Sequence, residues 1–201
     1  MQRGCRGFFI SREKSSFRDV LDGLANTICA GEVASDLGDD DVRTRGVQLT
    51  TDVTLAGATL GCRPSRDPAR PTFWLATPVA PTSFAGEIAV REDRRGLKWA
   101  LDRGLHGAFN TILPPNSELC MVTHSFNTGI MPPSSRHQGG CHVLMGDGAV
   151  KFITDSIEAG DSGSAHVGEG APRLDPGLKS PFGLWGALGT RDTKETIPAD
   201  F

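Results

Sequence analysis

The chain contains no tyrosine, and aromatic residues make up only 6% of its 201 positions. Surfaces that stack bases or sugars on aromatic rings are therefore poorly supplied. Positive charge is also scarce in the sum, since the net charge is -3. That gives no case for nucleic acid or an anionic bilayer as a partner. No apolar run approaches the ~20 residues of a spanning helix. No charged n-region followed by an apolar h-region opens the chain, so the sequence taken by itself reads as cytoplasmic. None of the five cysteines forms a C-x-x-C pair, which leaves zinc-ribbon and thioredoxin-like readings without support.

What is abundant is punctuation. Glycine occurs 25 times and proline 13 times, which predicts many short elements joined by turns and few long helices. With 38% apolar and 22% charged residues the composition is that of a globular domain, large enough to bury a core. Residues 1–16 form a basic leader segment, 17–158 a β-rich body, 159–180 a Gly/Pro-rich loop, and 181–201 a segment returning to the body.

Ser16 and Asp19 fit a short capping box, and Phe17, Val20, Leu21 and Leu24 recur at helical spacing, so a short helix or turn is expected there. Thr27–Val33 reads as a strand. The stretch 47–60 suits a strand pair, or a helix from about Asp52 to Leu60. Residues 61–72 hold three prolines and read as loop. Phe109–Leu113 reads as a strand stopped by Pro114-Pro115. Val143–Ile153 is a hairpin, because Asp147-Gly148 sits between two apolar runs. A two-residue loop predicts Met145 opposite Val150 and Val143 opposite Phe152. Leu144, Lys151, His142 and Ile153 then share the other face.

His137 is followed by nine residues and then Asp147-Gly148. Ser134–Gly140 leads into this spacing and Ala149–Ile157 leads out. Together with Phe17–Ile28 running on to Gly31-Glu32, Phe109–Ser117 with Cys120 close behind, and Ser180–Arg191, these segments resemble a family of bacterial prepilin-type proteins with an H-x9-DG processing-associated signature. The resemblance implies a pilin-like α+β fold dominated by an antiparallel sheet, with short helices and long loops. It implies export to the cell envelope, and other pilin-like subunits or envelope components as partners. Members begin with a prepilin leader and a long apolar helix, neither of which is visible here. The resemblance carries no established catalytic activity over to this chain, and no catalytic residues are expected. Its signature residues are His137, Asp147 and Gly148, and Asp22, Gly23, Asn26 and Glu32 form a second polar set expected to brace the first strand.

Cys62 and Cys120 lie near loops and can pair if the chain is exported, and the family places cysteines at similar positions. Cys29 and Cys141 read as small core residues. The histidines are dispersed; His137 and His142, five apart across Gly139-Gly140, form no familiar ligand pair. Asp36, Asp39, Asp40 and Asp41 look like an exposed acidic loop that calcium would suit chemically, although the spacing is not that of an EF-hand. No cofactor is expected. Trp74, Trp99 and Trp185 read as core residues, or alternatively as a sugar platform. The expected role is structural; a binding module for a glycan or an envelope protein is the alternative, and an enzyme would need His and carboxylate groups converging in a deep pocket.

Overall fold

The computed structural model describes residues 6–10, 13–49, 61–84, 94–101, 104–122, 129–168 and 173–198. The strands are β1 (Ile28–Gly31), β2 (Val47–Leu49), β3 (Arg66–Asp67), β4 (Arg70–Trp74), β5 (Thr82–Phe84), β6 (Cys120–Val122), β7 (Gly129–Ile130), β8 (Gly140–Met145), β9 (Val150–Thr154), β10 (His166–Val167) and β11 (Arg173–Leu174). Two short helices are described, α1 (Gly104–Gly107) and α2 (Gly183–Leu188). The fold is α+β, with mainly antiparallel sheets joined by long loops.

One sheet has the order β1-β8-β9 and is antiparallel throughout. Its inner face carries Ile28, Cys141, Val143, Met145 and Ile153, which pack with Trp185 and Leu188 of α2. Burying each large side chain contributes about 1.5–3 kcal/mol. Trp185 also donates its indole N–H to the carbonyl of Leu113 at 2.8 Å, so its polar atom stays satisfied. The other main sheet has the order β5-β2-β6-β7, with β2 and β6 parallel. Its core includes Val47, Leu49, Trp74, Cys120 and Ile130.

Cys62 and Cys120 are joined by a disulfide, and both residues are 0% exposed. The same corner holds a buried carboxylate. Glu118, 1% exposed, accepts from Arg63 Nε at 2.8 Å and Arg66 Nη1 at 3.3 Å. The disulfide and the ion pairs therefore both pin segment 62–66 to β6, and an ionised carboxylate at that depth needs such partners.

Several expectations need correction. Residues 61–72 are not all loop: a 3-10 turn at Arg63–Ser65 leads into the β3–β4 hairpin. Pro64 sits at the start of that turn, where no donor is required. Asp67 closes the hairpin by accepting from Ala69 N at 2.9 Å. Phe109–Leu113 forms no strand. Asn110 instead ties it to the neighbouring chain, donating its backbone N–H to Met131 O at 2.8 Å and its side-chain amide to Gly129 O at 2.7 Å. Within 47–60 only Val47–Leu49 is a described strand, and residues 50–60 lie outside the described residues. Trp74 and Trp185 are buried, but Trp99 is 82% exposed and belongs to no core.

The hairpin is present with a different register. Leu144 faces Val150, Val143 faces Lys151 and His142 faces Phe152. The loop is Gly146-Asp147-Gly148: Met145 O accepts from Gly148 N at 3.0 Å, and Met145 N donates to Ala149 O at 2.8 Å. Only Gly148 takes positive φ, at 94°, giving a three-residue turn with its glycine in the left-handed position. The extra loop residue exchanges the faces of β9 relative to the expectation. Ile153 points into the core, whereas Val150 and Phe152 join Leu144 on the outside, at 66%, 44% and 37% exposure.

Candidate functional site

β1 is bonded to β8 as far as Gly31, and Glu32 continues the ladder in an unusual way. Its backbone N–H donates to His142 O at 3.1 Å, while its side-chain Oε2 accepts from His142 N at 2.8 Å. The carboxylate thus takes the place of a strand carbonyl, which fixes the side chain. Its other oxygen, Oε1, faces His142 Nδ1 at 3.3 Å and His137 Nε2 at 3.4 Å. Burial is the largest influence on this carboxyl and pushes its pKa up. Donations from the His142 backbone, the Ser135 hydroxyl and the His142 ring together outweigh it and leave the pKa lowered.

His137 reaches this position because the chain reverses after it. Gly139 has φ of 79°, and a Cβ on Gly140 would lie 2.2 Å from Ile153 O. The glycine pair therefore folds His137 back beside the first strand. The rings of His137 and His142 meet edge to face with centroids 5.0 Å apart, and Phe152 stacks in the same way on the far side of His142. Ser135 Oγ accepts from His137 N at 3.1 Å, and Asn116 Oδ1 accepts from Ser135 N at 2.8 Å. The Asn116 amide in turn donates to Asp155 Oδ1 at 2.8 Å and to Gly140 O at 3.2 Å. Glu32, His137 and His142 are the described residues whose ligand atoms lie together, all within 4.8 Å of one another.

Asp147 is not part of this cluster. It occupies the hairpin loop beyond the far end of β8, roughly 17 Å of strand from Gly140, and its Oδ1 accepts from Ala149 N at 2.9 Å. The two halves of the H-x9-DG spacing therefore do separate local work.

Asp22, Gly23 and Asn26 form a different constellation. Asp22 Oδ2 accepts from Thr193 N at 3.0 Å and Thr193 Oγ1 at 3.1 Å, while Oδ1 accepts from Lys194 N at 2.5 Å. Asn26 donates to Asp22 O at 3.2 Å, and Gly23 O accepts from Thr27 Oγ1 at 3.1 Å. This group clamps the segment after α2 onto the turn that precedes β1.

The acidic loop is not an open calcium cup. Asp36 is paired with Arg94 and Asp41 with Arg43, and their side chains are only 3% and 2% exposed. Asp40 is paired with Arg45. The reading of these residues as an exposed loop is thus corrected for Asp36 and Asp41, whereas Asp39 is exposed.

A cleft of about 600 Å³ lies between β1, residues 107–112 and α2. It is mainly apolar, and its titratable lining groups are Arg6, Cys29 and His166, with no carboxylate among the described residues. Desolvation lowers the His166 pKa to about 4 and raises that of Cys29.

A family model described as a protein of unknown function (DUF1559) matches residues 2–160. The chain belongs to that family. No curated protein and no solved structure matches the chain. The DUF1559 match covers Asp22, Glu32, the His137 loop and the hairpin, and ends before α2 and the Asp22-clamped segment. Sequence reasoning singled out Glu32 and His137, set the His137–His142 pair aside, and missed Asn116. The signal was the Gly139-Gly140 pair, which turns two histidines five residues apart into neighbours.

Proposed function

We propose that this DUF1559 protein is a non-catalytic, pilin-like structural component of the bacterial cell envelope. The observation that carries this reading is the buried Cys62–Cys120 disulfide, because such bonds persist in exported proteins and are rare in the reducing cytosol. The H-x9-DG spacing agrees with it: Asp147 shapes a turn, and the His137 loop is bonded to the backbone around it. The described residues that line the apolar cleft include no carboxylate. Among the described residues no helix is long and apolar enough to cross a membrane.

Fractionation of the native cells, with free thiols alkylated before lysis, tests the proposal. The expected result is protein in the envelope fraction with Cys62 and Cys120 linked. Protein in the cytosolic fraction with both thiols alkylated overturns it.

A binding module is the second reading, favoured by one surface. Leu144, Val150 and Phe152 present an exposed apolar face on the hairpin, beside His142. Substituting Val150 and Phe152 by Ser would abolish retention of an envelope partner if this face were its docking site, and would leave retention unchanged otherwise.

A further inference from the structure

We propose that Glu32, His137 and His142 form a binding site for one divalent transition-metal ion of the zinc type, with the fourth ligand position open to solvent. Two imidazoles and a carboxylate are a donor set that zinc accepts, and three protein ligands leave one position for water.

The His142 ring bonds Glu32 Oε1 directly, and the distances at that oxygen also suit an enclosed ion. A charge-assisted N–H···O contact settles at about 2.7–2.9 Å. His142 Nδ1 and His137 Nε2 instead stand 3.3 and 3.4 Å from the same oxygen, Glu32 Oε1. Bonds of about 2.0–2.1 Å at tetrahedral angles place neighbouring ligand atoms about 3.3–3.4 Å apart. Both edges that meet at Oε1 therefore have the length an enclosed ion requires. The third edge is set by His137, which is 57% exposed and can swing without disturbing the core.

The surrounding groups are those that orient ligands. Glu32 Oε2 is held by His142 N, which turns Oε1 toward both imidazoles, where an ion would sit. Ser135 Oγ fixes the His137 backbone, and Asn116 fixes Ser135. Such outer partners hold first ligands in register and raise affinity. Three parts of the chain contribute one ligand each: the end of β1, the reversed loop and β8. An ion would tie the loop to the sheet at the point where Gly139 turns it. Exposure of the ligands gives a direct path from solvent. The nitrogen-rich set disfavours calcium and magnesium, which prefer oxygen donors.

The test is a competition titration of tag-free protein with Zn²⁺ against a chromogenic chelator, with the visible spectrum of the Co²⁺ form as a second readout. The expected result is one equivalent bound and a four-coordinate Co²⁺ spectrum. His137→Ala, His142→Ala and Glu32→Gln should each weaken binding by more than about tenfold, the least that loss of even an outer partner tends to cause. His137→Ala removes an exposed side chain, so its melting curve in chelator should match that of the parent. Asp147→Ala, at the far end of the hairpin, should leave binding unchanged. Absence of one-equivalent binding at micromolar Zn²⁺ overturns the proposal. So does binding that survives both histidine substitutions, which would place the ion elsewhere, for instance on Cys29.

Discussion

The carboxylate of Asp22 accepts the backbone N–H of Lys194 at 2.5 Å, joining the turn before β1 to the segment after α2. Thr193 donates to the same carboxylate through both its backbone and its hydroxyl. Hydrogen bonds to a charged acceptor are worth about 1.5–3 kcal/mol each before the variant's rearrangement is counted. Asp22→Ala should therefore lower stability by about 2 kcal/mol, measured by denaturant unfolding. Limited proteolysis should at the same time cut within 190–198 faster than in the parent. An unchanged cleavage rate would show that the clamp does not hold this segment.

Gly148 occupies the left-handed position of the hairpin loop, with φ of 94° and no atom within 4 Å of where a Cβ would stand. The cost of replacing it is thus conformational rather than steric. Gly148→Val should destabilise by about 1 kcal/mol or more, and Gly148→Asn by less, since Asn tolerates this region. Thermal melting of the two variants side by side checks the order. Equal melting temperatures would mean that the loop adopts another turn.

The Cys62–Cys120 bond spans 58 residues and both partners are fully buried. A loop of that length implies about 4 kcal/mol of stabilisation through the unfolded chain. Cys62→Ser with Cys120→Ser should lower the denaturation midpoint accordingly. In the parent, non-reducing peptide mapping should recover the linked pair, and native-state reducing agent should attack it only as the protein unfolds. Recovery of two free thiols after oxidation would contradict the pairing.

His166 is 6% exposed, and burial lowers its pKa from 6.5 to about 4. Its neutral form is favoured in the folded state, so the unfolded chain binds a proton that the folded chain refuses between those values. The contribution is complete above about pH 6.5 and is lost as pH falls toward 4, by about 3 kcal/mol at most. His166→Gln should flatten this part of the stability–pH curve relative to the parent. Curves that stay parallel from pH 7 to about 4 would locate the acid sensitivity elsewhere.

The presence of a hairpin over Val143–Ile153 was legible because turn chemistry and apolar pattern agree there. Its register was not. Whether Asp-Gly closes a two-residue or a three-residue loop depends on Gly146, where a Cβ would come within 2.6 Å of Phe8 and 3.0 Å of Leu24 O. That crowding comes from distant parts of the chain and leaves no mark in the local pattern. Phe109–Leu113 looked like a strand for the same local reason, yet it is held through Asn110 to the backbone of Gly129 and Met131 and through Leu113 O to an indole, rather than by a ladder. In the candidate site, Glu32 and His137 could be named from a family resemblance. His142 could not, because its part depends on Gly139 and Gly140 reversing the chain.

Strand β8 lies between β1 and β9, whereas among the described residues β9 has a neighbour on one side only. His142 spends both backbone groups on Glu32 at the β1 side, so in the alternating antiparallel pattern Val143 and Cys141 turn theirs to Lys151 and Ile153. The amides of Val150 and Phe152 consequently point outward to water. Deuterium uptake along β9 should then proceed at two speeds, fast at Val150 and Phe152 and slow at Lys151 and Ile153. The rim of this sheet thus carries its pairing as a kinetic pattern along a single strand.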